Sequence, residues 1–193
     1  MKRITVYSPA ELKAKYPEAF EKAHAEFAQN ENDIPWTDEI VDSLKELFKA
    51  CNGVSLRGYS ISDDAHRSYM KLVWSHEDIK DFTGARAQAW LENNLLSDLR
   101  IPWRGDERKR LAKYGEWYRP GLIKPCPFTG VCFDEDYIES LQKDIKAGES
   151  LGDAFNNLCN VASHLIEQEY EYIASEEYFL EQDLQFTKEG KLI

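Results

Sequence analysis

The strongest constraint on the fold is a run of apolar residues at helical spacing in the last quarter of the chain. Ser150, with Asp153 three residues later, has the pattern of a helix N-cap. After this cap the apolar residues recur at intervals of three and four, as on the buried face of a helix: Phe155, Leu158, Cys159, Ala162, Leu165 and Ile166. Such a face must be covered by other helices or a sheet, which predicts a mainly helical protein.

The remaining segments predict shorter elements, bounded by caps, prolines and glycines. Helices are expected from Pro9 to about Lys15, after Pro17, from Thr37 to Asn52, from Glu77 to Leu99, from Asp106 to Tyr114, from Phe133 (with Asp134 as N-cap) to Gly148, and after Ser175. Strands are expected at 4–7, as a hairpin at 54–59 and 68–74, and as a hairpin-like ending at 184–193.

These elements predict an α+β fold, mainly helical with small antiparallel β-hairpins. A single domain is expected over residues 1–193, with 1–124 and 125–193 as candidate lobes, since no linker or internal repeat interrupts the chain.

The charge is distributed very unevenly. The net charge is −11, and no lysine or arginine lies between Lys146 and Lys188. Residues 100–124 have the opposite bias, with eight basic and three acidic side chains. The overall charge opposes binding of a long polyanion. It suits a basic partner, including a protein that itself binds nucleic acid.

The acidic stretch also carries tyrosines, and we take it as the candidate partner-binding surface. Its residues are Glu167, Glu171, Glu176, Glu177, Glu181, Asp183, Tyr170, Tyr172 and Tyr178. Glu169 is excluded because helical spacing places it on the core side of the helix. Carboxylates in a row can imitate a phosphate backbone, and tyrosines are frequent anchors in interfaces. The alternative is a solvated acidic face without a partner.

The basic middle of the chain is a second candidate interface. It extends from Arg104 to Lys113, with Trp103, Tyr114, Trp117 and Tyr118 beside it. Basic residues among aromatic ones are typical of single-strand binding. The acidic remainder of the chain argues against this, so no direct nucleic-acid contact is expected.

Evidence for catalysis or metal binding is weak. Cys126 and Cys132 could supply two thiolates to zinc, but no second tight pair exists, and Cys159 and His164 point in different directions on a helix. Buried free cysteines in a packed loop are expected instead. Asp63 and Asp64 near His66 are typical of a turn. No catalytic residue, metal or cofactor is therefore predicted.

Membrane association is not expected either. No apolar run approaches the length of a span, and the first twenty residues lack the apolar core of a signal peptide. We therefore expect a cytoplasmic protein with reduced cysteines.

Four segments resemble small acidic proteins of bacteriophages and prophages. They are Ile4 to Leu12 (ITVYSPAEL), Cys126 to Asp136 (CPFTGVCFDED), Ser175 to Tyr178 (SEEY) and Leu184 to Ile193 (LQFTKEGKLI). Proteins of this kind include anti-CRISPR and anti-restriction proteins. The resemblance implies an anti-defence role in the host bacterial cytoplasm, and it carries over no catalytic residue.

The expected function is a stoichiometric inhibitor that binds a CRISPR–Cas effector complex and sterically blocks DNA through its acidic, aromatic-rich surface. Two alternatives stay open. One is a phage accessory or antitoxin-like module that neutralises another basic partner, and the other is a metal-binding enzyme.

Overall fold

The structure, a computed structural model, describes residues 5–30, 36–100 and 123–193. It is an α+β protein, mainly helical with one small antiparallel sheet. The contacts divide the chain into two compact units, Thr37–Leu165 and the combination of Met1–Trp36 with Ile166–Ile193. The prediction of one domain over residues 1–193 stays a prediction. The boundaries between the two units do not coincide with the boundary between the candidate lobes 1–124 and 125–193.

The elements of the described chain follow one another in this order. They are α1 (Pro9–Lys15), α2 (Pro17–Asn30), α3 (Thr37–Ala50), β1 (Val54–Ser60), β2 (Tyr69–Trp74), a 3-10 helix (Glu77–Asp81), α4 (Gly84–Leu91), a π-helical turn (Glu92–Leu96), α5 (Ser97–Leu99), α6 (Phe133–Ala147), α7 (Leu151–Ile173) and α8 (Glu176–Glu181).

Side-chain caps fix the start of three helices. At α1, Ser8 and Glu11 form a complete capping box, and Pro9 occupies the first turn. At α7, the Ser150 hydroxyl accepts a hydrogen bond from the Asp153 backbone N–H at 3.1 Å. At α8, Ser175 accepts one from the Tyr178 N–H at 3.2 Å. These three predicted helix starts are confirmed.

In the unit Thr37–Leu165, the fully buried ring of Phe155 on α7 lies at the centre of an aromatic cluster. Its neighbours are Phe48, Trp74 and Trp90, with ring centroids 5.5–6.0 Å away. The buried hydroxyl of Tyr137 donates to the Ile40 carbonyl at 2.9 Å, which ties α6 to α3. The apolar spacing on α7 that predicted a helix is therefore the face that builds this core.

The sheet of this unit is the predicted hairpin of β1 and β2. Val54 pairs with Trp74 and Ser60 with Tyr69, and the register shifts between Leu56 and Gly58. The extra residue, Arg57, forms a bulge of the kind that increases strand twist.

The other unit is built from the two ends of the chain. Its core contains Leu12 and Phe20 from the first helices and Phe179 and Phe186 from the last segment. Tyr7 and Phe186 exchange backbone hydrogen bonds of 2.9 Å, and Phe186 also bridges to Leu192. The predicted opening strand and closing hairpin are thus present as single antiparallel bridges.

The predicted helix from Glu77 to Leu99 is wrong as a single element. The 3-10 helix ends at Asp81. Phe82 and Thr83 have extended backbone, and α4 starts only at Gly84. Gly84 has a φ of 53°, which L side chains rarely adopt. A π-helical turn then interrupts the helix at Glu92–Leu96. Gly84 marks the break between the 3-10 helix and α4 in the sequence, whereas no residue type in Glu92–Leu96 predicts the π-helical turn.

The predicted N-cap of α6 is also wrong. The helix begins at Phe133 with Cys132 in the cap position, and Asp134 lies inside the first turn, fully buried. Its carboxylate binds the preceding loop instead, accepting from the backbone N–H of Phe128 at 2.7 Å and that of Thr129 at 2.8 Å.

Some of the predicted features lie outside the described residues, among them the helix from Asp106 to Tyr114 and the basic interface from Arg104 to Lys113. Within the described ranges, no helix is long and apolar enough to cross a membrane.

A candidate protein-binding surface on α7 and α8

The carboxyl-terminal end of α7 and the short helix α8 carry the predicted partner-binding residues. A tight turn joins the two helices: the Ala174 and Ser175 N–H groups donate to the carbonyls of Tyr170 and Tyr172, at 3.0 and 2.9 Å. Ser175 then caps α8 directly. The turn brings residues 170–172 of α7 and 177–181 of α8 into the same region of the surface.

Aromatic packing fixes α8 on the unit formed by the chain ends. Phe179 is fully buried, and its ring lies 5.0 Å from Phe27, 5.5 Å from Phe20 and 5.6 Å from Phe186. The His24 ring lies 5.3 Å from the Phe179 ring in a tilted arrangement, and its Nε2 lies 3.0 Å from the Ala174 carbonyl oxygen. A helix of six residues is marginal alone, so this packing holds its acidic side chains in place.

Four of the predicted residues form a cluster, which we call the Tyr–acid cluster: Tyr172, Tyr178, Glu177 and Glu181. The two tyrosine rings meet at 5.3 Å in an edge-to-face arrangement. The Tyr172 hydroxyl donates to Glu181 Oε2 at 3.4 Å. The charge of Glu181, followed by partial burial and the charge of Glu177, raises the pKa of Tyr172. The cluster is therefore a negatively polarised aromatic site at the surface.

The other predicted residues lie around this cluster. Glu167, Glu171, Glu181 and Asp183 are exposed, and Tyr170 is 40% exposed. Glu171, Glu177 and Asp183 have no lysine or arginine within ion-pair distance among the described residues. Glu169, which spacing placed inward, is half-buried, and burial raises its pKa.

Glu176 differs from its neighbours. It forms an ion pair with Lys13 of α1, and both side chains are about half exposed. The sequence alone did not indicate this pairing, because the two residues are separated by almost the whole chain. Glu176 consequently contributes less negative potential to the surface than Glu177.

A separate groove of about 800 Å³ lies in the unit Thr37–Leu165. Leu91, Leu96 and Ile138 line its apolar part. Glu92 and Arg100 also line the groove and form a bidentate ion pair, in which Arg100 Nε donates to Glu92 Oε1 at 2.6 Å and Arg100 Nη2 donates to Glu92 Oε2 at 2.7 Å. The ion pair lowers the pKa of Glu92. This volume is typical of small-molecule sites. The charged side chains that line the groove are positive and negative in similar number. Sequence reasoning missed it because the π-helical turn that helps form it was not predictable.

The described residues contain no group of three or more His, Cys, Asp or Glu side chains placed to hold a metal ion. The prediction that Cys126 and Cys132 are both buried is wrong, since Cys126 is half-buried and Cys132 is exposed.

No protein-family model, no curated protein and no solved structure matches the chain.

Proposed function

We propose that this chain is a non-catalytic anti-defence protein of a bacteriophage, which needs no cofactor. It binds a basic, nucleic-acid-binding complex in the cytoplasm of the host bacterium, with a CRISPR–Cas effector as the first target. The contact is made by the acidic and tyrosine-rich surface of α7 and α8, without direct nucleic-acid binding.

The proposal rests on the Tyr–acid cluster and on the carboxylates in and around it that have no basic partner among the described residues. Charges on a protein surface are normally mixed in sign, yet Glu171, Glu177 and Asp183 have no described basic partner in ion-pair range. Such an excess of negative charge opposes compact folding through self-repulsion. A basic partner removes that repulsion on binding.

The aromatic rings add a preference for one kind of contact. A guanidinium or ammonium group is attracted both to the face of a tyrosine ring and to the adjacent carboxylates. Tyr172 and Tyr178 present such faces beside Glu177 and Glu181. Arginines that line a DNA channel therefore suit this surface, and an occupied channel excludes DNA sterically.

The function is tested by phage plating. The chain is expressed in bacterial strains that each carry one active CRISPR–Cas type, and a targeted phage is titred on each strain. Restored plaque formation on at least one strain is the expected result. Full immunity on every strain, with the protein present and folded, contradicts the CRISPR–Cas assignment. Capture of a basic protein of another kind from the same cells would then support the antitoxin-like alternative.

A matched pair of variants tests the surface. One variant changes four residues of the candidate surface: Glu171→Gln, Glu177→Gln, Glu181→Gln and Asp183→Asn. The control removes the same charge from four exposed positions elsewhere: Glu18→Gln, Glu21→Gln, Asp38→Asn and Glu149→Gln.

We expect the surface variant to bind the captured effector more than tenfold more weakly, a loss of over about 1.4 kcal/mol. The control variant should bind within about threefold of wild type, since none of its four residues belongs to the candidate surface and exposed charges are screened at physiological salt. Equal losses in the two variants would mean that net charge alone, and not this surface, determines binding.

A further inference from the structure

Two helical stretches in the unit Thr37–Leu165 run in opposite directions and flank the groove described above. At one end, the Leu151 N–H, just beyond α6, donates to the Phe82 carbonyl, just before α4, at 2.9 Å. At the other end, the Lys124 N–H, in the segment before α6, donates to the Leu99 carbonyl in α5 at 2.9 Å. These contacts join the two stretches at both ends, and the groove of about 800 Å³ lies between them.

The floor of the groove is aliphatic. On α6, Ile138, Gln142 and Ile145 line it at intervals of three and four, so they share one side of the helix. Leu91 and Leu96 line it from the opposite wall. The four aliphatic side chains are at most 5% exposed. The two isoleucines are separated by about 10 Å along the helix axis, so the floor is long enough for an extended chain.

Part of the opposite wall is the π-helical turn Glu92–Leu96. Turns of this kind inside α-helices are rare and frequently lie at functional sites. The bidentate ion pair of Arg100 with Glu92 spans this turn and α5, which fixes the shape of the wall. It also pairs the two charges with each other, so they offset one another within the groove.

The remaining charges are distributed unevenly along the groove. At the end that contains Lys124, Glu135 also lines the groove, so both signs are present. Lys146 lines the opposite end, and no carboxylate of the described residues lies within ion-pair distance of its ammonium group. Glu139 lies about 10 Å away along the helix axis, a distance over which exposed charges are largely screened at physiological salt. The Lys146 ammonium is therefore available to an anion.

We propose that this groove binds an amphiphilic organic anion with the chemistry of a medium-chain fatty acid. Its acyl chain lies on the aliphatic floor, where it is removed from water. Its carboxylate contacts the Lys146 ammonium. Gln88, one turn into α4 and so toward the same end of the groove, supplies a further hydrogen-bond donor through its side-chain amide.

The shape and polarity of the groove favour this class of ligand over others. Pockets for small molecules combine mostly apolar walls with a few polar groups that fix the orientation of the ligand. Here the apolar part is elongated and the uncompensated charge is positive and lies at one end, which matches a chain with a single anionic head. The site is independent of the proposed anti-defence function, since none of its residues belongs to the surface of α7 and α8.

The test titrates the purified chain with sodium decanoate in a calorimeter, below the concentration at which decanoate forms micelles. One molecule should bind per chain. Octanoate, which has a shorter chain, should bind about tenfold more weakly, because each buried methylene group adds a favourable transfer free energy. Decylamine, which carries the decanoate-length chain on a positive head, should bind at least about fivefold more weakly. Absence of decanoate binding to the folded protein, or equal binding of decanoate and octanoate, overturns the proposal.

A matched pair of variants tests the head-group position. Lys146→Glu should weaken decanoate binding at least about fivefold, since repulsion replaces attraction. Lys143→Glu makes the same charge change at an exposed position of α6 outside the groove, and it should bind within about twofold of wild type. Equal losses in the two variants would contradict the assignment of Lys146.

A third variant tests the groove itself. Gln142 is half-buried on the groove side of α6, so Gln142→Trp places a large side chain in the space that the acyl chain needs. Decanoate binding should weaken more than about tenfold, and circular dichroism checks that the variant is folded. Wild-type affinity in folded Gln142→Trp would show that decanoate binds elsewhere and would overturn the proposal.

Discussion

Lys13 and Glu176 form an ion pair between α1 and α8, two helices that lie far apart in the sequence. This single contact gives two adjacent glutamates different surroundings. Glu176 is compensated by Lys13, whereas Glu177 contributes its charge to the Tyr–acid cluster. The two positions therefore serve as controls for each other.

Glu177→Gln should weaken binding to the captured partner more than Glu176→Gln does, by at least about threefold, or roughly 0.7 kcal/mol. The stability effects should be in the opposite order. Glu176→Gln loses an exposed ion pair, which contributes up to about 1 kcal/mol. Isothermal titration and thermal melting of both variants measure the two effects. The same loss of affinity at both positions would contradict the separate roles.

Gly190→Ala should strongly destabilise the unit formed by the chain ends. An added Cβ would lie 2.3 Å from the Ala19 carbonyl oxygen, and the φ of Gly190 is 79°. Steric overlap and the left-handed backbone together should cost about 2–5 kcal/mol. Gly148→Ala is the matched control, since its φ is 98° but nothing lies within 4 Å of the added atom. That variant should lose about 1–2 kcal/mol, as measured by thermal unfolding, and equal losses would exclude a steric effect at Gly190.

Asp134→Ala should destabilise the loop before α6. It leaves the Phe128 and Thr129 N–H groups without their acceptor, which should cost about 3 kcal/mol. Asp136→Ala, at an exposed position of the same helical turn, should cost less than about 1 kcal/mol. Chemical denaturation measures both variants. If the two substitutions have the same effect, the carboxylate of Asp134 is not what holds the loop.

Glu169→Gln should raise the melting temperature at pH 7 by a few degrees. Burial raises the folded-state pKa of Glu169 above that of the unfolded chain, so the charged form at neutral pH opposes folding. The penalty is absent below the unfolded pKa, which is about 4.3, and grows as the pH rises through the folded value. Melting curves from pH 4 to pH 8 should show the difference between variant and wild type shrinking at the acidic end.

Glu171→Gln removes the same charge from an exposed position on the same helix, and it controls for net charge. Its melting temperature should change less than that of Glu169→Gln at pH 7. A larger stabilisation at Glu171 would attribute the effect to general repulsion along α7 instead of burial.

Local sequence signals predicted the local parts of the fold. Ser8, Ser150 and Ser175 each have the residue type of an N-cap, and each caps a helix in the structure. Asp134 also has the residue type of an N-cap, but its carboxylate accepts instead from several N–H groups of the loop before it. These bonds arise from tertiary packing, which a local pattern does not contain.

The candidate surface was predictable in composition but not in arrangement. The absence of basic residues near Glu171 and Glu177 along the chain is readable from the sequence. The T-shaped contact of Tyr172 with Tyr178, and the pairing of Lys13 with Glu176, depend on how α8 packs against the first helices. Contacts of this kind leave no spacing pattern in the sequence.

The buried ring of Phe179 has a consequence for how the protein is made. Its neighbours Phe20 and Phe27 leave the ribosome roughly 150 residues earlier, which at about 5–20 residues per second is on the order of ten to thirty seconds. Throughout that interval the apolar side of α1 and α2 has no partner from α8. The nascent chain therefore exposes an apolar surface until α8 has been synthesised, and its yield in cells should depend on chaperones that shield that surface.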